Sequence, residues 1–220
     1  MDRRITFFHA PHSRSGGARI LLEELGAPYD LHLLDLRAGT HREPAYLAVN
    51  PMGKVPAIRH GDALVTEQVA IFLYLADLFP EAGLAPAPGD ALRGPYLRWM
   101  VFYAGCFEPA VTDHALKREP GPRSTMGYGD YDSTIRAVRD QLAVGPWMLG
   151  ERFSAADVLW GTSLGWTMQF KIVPEDPVFV DYVARFNARP IPQRVRTEDS
   201  ELAARQEAAR NAAAGAAPAG

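Results

Sequence analysis

The chain carries one cysteine, Cys106, in 220 residues. A lone thiol excludes an intramolecular disulfide framework, and without a C-x-x-C pair there is no thioredoxin-type dithiol chemistry. That cysteine usage suits a reducing compartment. Long apolar runs are also missing. None approaches the ~18 residues of a membrane span, and the apolar stretch after Arg3 and Arg4 is too short for a signal-peptide core. Charge of one sign is not in excess: 23 basic and 26 acidic residues leave a net charge of −3, which offers no basic field for nucleic acid or anionic lipid. The histidines (9, 12, 32, 41, 60 and 114) are scattered, with no metal-binding pair on one helix face. Gly16 and Gly17 lack the Gly-Lys-Ser/Thr that would complete a phosphate loop. The expectation is a cytoplasmic protein with no metal, no nucleic-acid partner and no membrane partner.

What is present is an ordinary globular composition, 47% hydrophobic and 22% charged. Residues 4–8 (RITFF) read as a strand, followed by the loop APHSRSGG. In ARILLEELG, Ile20, Leu21, Leu22 and Leu25 recur at helical spacing, and Gly26 is placed to end the helix. Tyr29 to Leu36 alternates as a second strand, and HREPAYLAVNP reads as a short helix closed by Pro51. VPAI and ALVT pair as a hairpin around Gly61 and Asp62. Thr66 caps EQVAIFLYLADLF, a helix apolar nearly all round and therefore buried, which Pro80 ends. The order β-α-β-α-β-β-α over residues 4–80 predicts a mixed sheet with covering helices.

Residues 81–90 (EAGLAPAPGD) form a Pro/Gly-rich break, and no strand pattern follows it. Helices are expected near 91–118, 124–143, 154–170 and 176–188. The implied division is an N-terminal domain over 1–80, a linker over 81–90 and an all-helical domain over 91–196. Residues 197–220 form an alanine-rich tail, which could extend the last helix but is expected to fray.

One stretch resists a purely structural reading. NPMGKVPAI, residues 50–58, ends as a short buried strand, yet Pro56 sits inside it. Proline donates no ladder hydrogen bond and is confined to strand starts, edges and bulges. A peptide-like ligand docked on the backbone there would explain it. The strand with its serine-bearing loop, NPMGKVPAI, TEQVAIFLYL, the proline-rich linker and GERFSAADVLWG occur in order over roughly residues 4–190. Together they resemble the cytosolic glutathione transferases, in particular bacterial, theta- and zeta-like members of the serine type.

The resemblance implies an α/β thioredoxin-like N-terminal domain joined to an all-α C-terminal domain. It also implies a homodimer that takes glutathione as co-substrate and needs no metal. Pro56 would be cis, turning the N–H and C=O of Val55 toward the cysteinyl backbone of glutathione, a one-residue form of β-augmentation. Glu67 and Gln68 would hold the γ-glutamyl end, Glu67 facing the ammonium and Gln68 the carboxylate at a helix N-terminus. Gln68 departs from the Ser or Thr more common there. His41, nine residues before Asn50, and Lys54 would serve the glycyl carboxylate. Ser13 falls where zeta-like members carry the serine that bonds the sulfur. A register shifted by one leaves Ser15, His12, Arg14 and backbone N–H groups as alternatives.

The implied function is glutathione transfer to a small hydrophobic electrophile, in the manner of detoxification enzymes. A glutathione-dependent isomerase or peroxidase, or a non-catalytic binding or scaffold protein on the same fold, are the rivals. Two other motifs point elsewhere. Residues 161–165 (GTSLG) fit the hydrolase nucleophile elbow, but lie inside the helix begun at Ser154 instead of at a strand-to-helix turn. Cys106 and the i,i+4 pair Tyr103 and Phe107 are read as core. Ser154 and Asp157 form a capping-box pattern, a signature of folding.

Overall fold

The computed structural model describes residues 2–119 and 121–215. Two compact units divide the chain, one running to Ile71 and resuming at Pro190, the other spanning Phe72–Arg189.

In the first unit, β1 (Ile5–His9) pairs in parallel with β2 (Tyr29–Leu33) and antiparallel with β3 (Ala57–His60). The hairpin partner β4 (Ala63–Val65) completes the order β2-β1-β3-β4. This is the mixed sheet that the alternation of strands and helices predicts, in the thioredoxin-like form that the resemblance implies. Side chains of β1 alternate between its two faces. Phe8 faces a cluster of Ala10, Leu34, Tyr46 and Ala57. Phe7 meets the Tyr29 ring edge-on at 5.9 Å. Between β1 and β2, α1 (Ser15–Glu24) buries Ala18, Ile20, Leu21 and Leu22 and ends before Gly26, whose φ of 62° is the left-handed stop the sequence signals. A single short helix, α2 (Pro44–Leu47), and a 3-10 turn over Thr40–Arg42 precede β3. The next helix, α3 (Gln68–Leu78), begins two residues after Thr66.

The second unit is helical: α4 (Arg93–Phe102) runs through a π turn (Tyr103–Phe107) into α5 (Glu108–Ala115), and α6 (Tyr131–Leu142), α7 (Ala155–Gln169) and α8 (Pro177–Asn187) follow. The expected helix over 124–143 starts only at Tyr131, where the Asp130 carboxylate caps it by accepting the Ser133 N–H at 2.7 Å. Tyr103 and Phe107 are core: both are buried and pack edge-on to Trp160 at 5.5 and 5.0 Å. Ser163 of the GTSLG run is buried in α7 and hydrogen-bonds the Tyr103 hydroxyl at 3.0 Å, so no nucleophile elbow exists. Cys106 is only half-buried, and burial pushes its thiol upward, away from the reactive thiolate.

Two differences from the sequence-based division have physical causes. Residues 81–90 do not stand apart: Leu84 is buried, its carbonyl accepts the Ala155 N–H at 2.8 Å, and Arg152 pairs with Asp90 at 3.0 Å. The expected fraying tail is instead part of a 26-residue helix, α9 (Pro190–Gly215). Alanine and arginine are strong helix formers, and polar side chains along α9 tie it to the first unit. Arg194 pairs with Glu23 at 2.6 Å, Gln206 donates to the Leu34 carbonyl at 3.0 Å, and Arg210 pairs with Asp35. Residues 216–220 of that tail lie outside the described residues.

Candidate functional site

Every residue singled out for binding lies in the first unit. The loop leaving β1 turns sharply at His12, whose φ of 55° is left-handed, and delivers Ser13 to the start of α1. The Ser13 hydroxyl donates to the Ala10 carbonyl at 2.7 Å, accepts the Ser15 N–H at 3.2 Å and lies 2.7 Å from the Ser15 hydroxyl. Ser13 is half-buried, whereas Ser15 is fully buried. The Ser15 oxygen is held on the inner side by the Ala10 N–H at 3.1 Å and His9 Nδ1 at 2.8 Å. Of the two serines, Ser13 is the more exposed. His12 and Arg14 are exposed.

The Val55–Pro56 bond is cis. Val55 packs on the cluster containing Phe8 and Ala10, which sets it beside the Ser13 loop. Among the described residues its amide and carbonyl have no backbone hydrogen-bond partner. The chain before it is pinned at Lys54, whose carbonyl accepts the Tyr46 hydroxyl at 2.6 Å and the Asn50 amide at 2.9 Å. Burial pushes the Tyr46 phenol up to about 12, so it stays protonated and keeps donating. Lys54 itself is exposed. Gly53, with φ of 59°, passes so near the His41 carbonyl that an added Cβ would sit 3.0 Å from it. His41 and Lys54 are thereby brought to one end of the Val55 segment.

At the other end, Glu67 is exposed and holds a left-handed φ of 65° immediately before α3. For a non-glycine residue that conformation costs about 1–3 kcal/mol and is concentrated at functional sites. The Gln68 amide donates to the Arg14 carbonyl at 3.2 Å, joining the start of α3 to the Ser13 loop. Two buried polar atoms have no partner here, His41 Nδ1 and Gln68 Oε1. Buried polar groups are ordinarily paired, so Gln68 Oε1 is an acceptor in waiting at one end of the segment and His41 Nδ1 a donor or acceptor in waiting at the other. The donor set suits a small peptide bearing an anion at each end: helix N–H groups, an unpaired amide, an imidazole and a lysine.

The comparisons with known proteins decide the family. Residues 4–77 match the N-terminal domain family of glutathione S-transferases. A solved glutathione transferase from Methylococcus capsulatus is 32% identical, with a TM-score of 0.75 over 89% of this chain and 98% of that one. This chain is a member of the glutathione transferase family. A sphingomonad glutathione S-transferase solved with glutathione bound is 28% identical, with a TM-score of 0.71 over 89% of this chain and 98% of that one. The disulfide-bond oxidoreductase YfcG of Escherichia coli is 26% identical over 84% of this chain and 91% of its own length.

Two residues of this family member escaped sequence reasoning. His9 closes β1 and looks like the end of an apolar strand, and Asp199 lies in the alanine-rich segment. They meet at 3.1 Å across 190 residues of sequence, with His9 fully buried and Asp199 nearly so. In the sequence Asp199 is one of several charged residues, with Arg194, Arg196, Glu198 and Glu201 beside it, a pattern that any solvated helix face produces.

Proposed function

We propose that the chain binds glutathione along the Val55 segment and ionises its thiol at Ser13 for attack on a small hydrophobic electrophile. The γ-glutamyl end rests on Glu67 and Gln68, the cysteinyl backbone pairs with the N–H and C=O of Val55 beside Pro56, and the glycyl carboxylate meets His41 and Lys54. Ser13 donates to the sulfur. The sulfur lone pair forms the new S–C bond, and the displaced electrons leave with the departing group or enter the activated acceptor.

The observation that carries this reading is the contrast between the two serines: the Ser15 hydroxyl is enclosed and the Ser13 hydroxyl is not. The energetics close. A free thiol of pKa ≈ 8.5 needs a shift of about 1.5 units, or ~2 kcal/mol, for half-ionisation at neutral pH. A hydrogen bond to a charged partner supplies about 1.5–3 kcal/mol, and the N-terminus of α1 adds ~0.3–1. A modest shift also preserves sulfur nucleophilicity. We read the working form as a cytoplasmic homodimer, which light scattering tests.

A second reading, glutathione-dependent disulfide reduction, is supported by the similarity to YfcG. Parallel assays separate the two: conjugation of 1-chloro-2,4-dinitrobenzene, and glutathione-driven reduction of hydroxyethyl disulfide. Conjugation saturable in glutathione, with retention on immobilised glutathione, supports the transferase reading. Disulfide reduction without conjugation supports the second. Absence of calorimetric binding at millimolar glutathione removes both.

A further inference from the structure

A chain of hydrogen bonds leads from Ser13 into the protein. Ser13 Oγ lies 2.7 Å from Ser15 Oγ, which lies 2.8 Å from His9 Nδ1. His9 Nε2 lies 3.1 Å from Oδ1 of Asp199 in α9, and Arg19 Nη1 reaches the same oxygen at 2.5 Å. Arg19 also pairs with Glu198. We propose that His9 is a positioning residue that takes up the glutathione thiol proton through the hydroxyls of Ser15 and Ser13, and that Asp199 stabilises the imidazolium so formed. The inference rests on Ser13 being the group that meets the sulfur.

The direction of the chain follows from donor and acceptor counts. Burial works to raise the Asp199 carboxyl, but hydrogen bonds from His9 and Arg19 hold it below the usual carboxylate range, so it is ionised and accepts only. His9 Nε2 is therefore the donor, and in a neutral imidazole Nδ1 is then the acceptor. Ser15 gives its hydrogen to Nδ1, and its oxygen is open to the hydrogen of Ser13. At rest the Ser13 hydrogen goes to the Ala10 carbonyl, 2.7 Å from Ser13 Oγ and 3.1 Å from Ser15 Oγ; rotation about the Ser13 C–O bond turns that hydrogen to Ser15 Oγ, 2.7 Å away. Every hydrogen in the row can point inward, toward a base.

When the thiol reaches Ser13, its proton bonds to Ser13 Oγ as the Ser13 hydrogen passes to Ser15 Oγ and the Ser15 hydrogen passes to His9 Nδ1. One S–H and two O–H bonds break, and two O–H and one N–H bond form. No electron changes partner beyond these bonds. The result is a thiolate facing a Ser13 hydroxyl that now donates outward, with an imidazolium held between Ser15 and Asp199. This is the logic of a serine–histidine–aspartate triad, with a second hydroxyl between histidine and substrate. The charged groups around His9 are few. Arg19 comes from α1, Asp199 and Glu198 from α9, and Tyr29 of β2 reaches Arg19 Nε at 3.4 Å. The Phe7 ring covers one face of the imidazole at 5.4 Å. A purely structural cluster has no need to end at a half-exposed hydroxyl; this one does.

The test begins with the unaltered full chain, by nitrogen NMR of histidine-labelled protein near neutral pH. Glutathione is expected to convert His9 to the doubly protonated ring, and S-methylglutathione, which has no thiol proton, is expected to leave it singly protonated. A His9 signal that responds equally to both ligands, or to neither, overturns the relay. In a second arm, the ultraviolet absorbance of bound thiolate is followed against pH. Ser15→Ala and Asp199→Asn should each raise the midpoint by about one unit, a ~tenfold loss of thiolate below it, with affinity for S-methylglutathione unchanged. If Ser13→Ala raises the midpoint and Ser15→Ala does not, the relay is wrong and the Ser13 reading stands. If Ser13→Ala leaves it unmoved, the Ser13 reading itself falls.

Discussion

Replacing Asp157 by alanine removes more than a helix cap. Its Oδ2 accepts the Ser154 N–H at 2.8 Å and the Ser154 hydroxyl at 3.1 Å, the capping arrangement at the start of α7. Its Oδ1 accepts the Met148 N–H at 2.6 Å and the Tyr182 hydroxyl at 2.9 Å, which ties α7 to the preceding loop and to α8. A cap alone contributes ~0.5–2 kcal/mol. Here two buried backbone donors lose their partner at ~1–3 kcal/mol each, so Asp157→Ala should cost about 4 kcal/mol. For a chain of this size that is a fall in Tm of roughly 8–16 °C, measured by calorimetry. Turnover of the folded fraction at low temperature should be kept. Burial pushes the Asp157 carboxyl up to about 6 against the pull of its hydrogen-bond donors. The folded state thus binds a proton more tightly than the unfolded chain, and the stabilisation present at low pH is lost as pH rises through that value. Over about two units the change is ~3 kcal/mol. The gap in Tm between the parent and Asp157→Asn should narrow from about pH 4 to about pH 6 and stay level above it. An unchanged Tm in Asp157→Ala, or lost turnover with Tm retained, refutes the structural role.

Three further outcomes are expected. Gly161→Ala sets a Cβ 2.4 to 2.9 Å from the buried Phe186 ring; overpacking of about 1–3 kcal/mol outweighs the ~1 kcal/mol of helix propensity gained, and thermal melting should show net destabilisation. Deletion of residues 197–220 leaves His9 and Arg19 without Asp199 and Glu198, and breaking such a buried pair costs ~3–5 kcal/mol; an unaltered urea midpoint would contradict the role given to α9. Glu67→Ala should weaken glutathione and S-methylglutathione alike by calorimetry, because it acts on the ammonium end and not on the sulfur.

The sequence carries the first unit almost element by element, because its strands and helices are short, strongly patterned and punctuated by Gly26, Pro51, Gly61 and Pro80. Pro56 inside an apolar strand raised the question of a backbone site, but its chemistry alone fits an edge-strand proline equally well, and the family resemblance was needed to read it as cis. The extent of α9 was not legible: alanine repeats favour a helix, but what holds it is Arg194, Asp199, Gln206 and Arg210 meeting residues of the N-terminal unit. No local pattern encodes such meetings. The choice between Ser13 and Ser15 was equally hidden, since two residues of spacing say nothing about which hydroxyl folds inward. His9 and Asp199 became visible only as a pair.

The central claim is that Ser13 ionises the sulfur of bound glutathione. Its direct test is the pH profile of conjugation for Ser13→Ala and Ser15→Ala beside the parent, with calorimetric affinity for S-methylglutathione measured on each. Loss of a bond worth ~1.5–3 kcal/mol should raise the apparent thiol pKa of Ser13→Ala by about one to two units and cut turnover near neutral pH at least about tenfold, with affinity for S-methylglutathione unchanged. A Ser13→Ala variant that keeps the parent profile while Ser15→Ala shifts it upward contradicts the account, and makes Ser15 the donor to the sulfur.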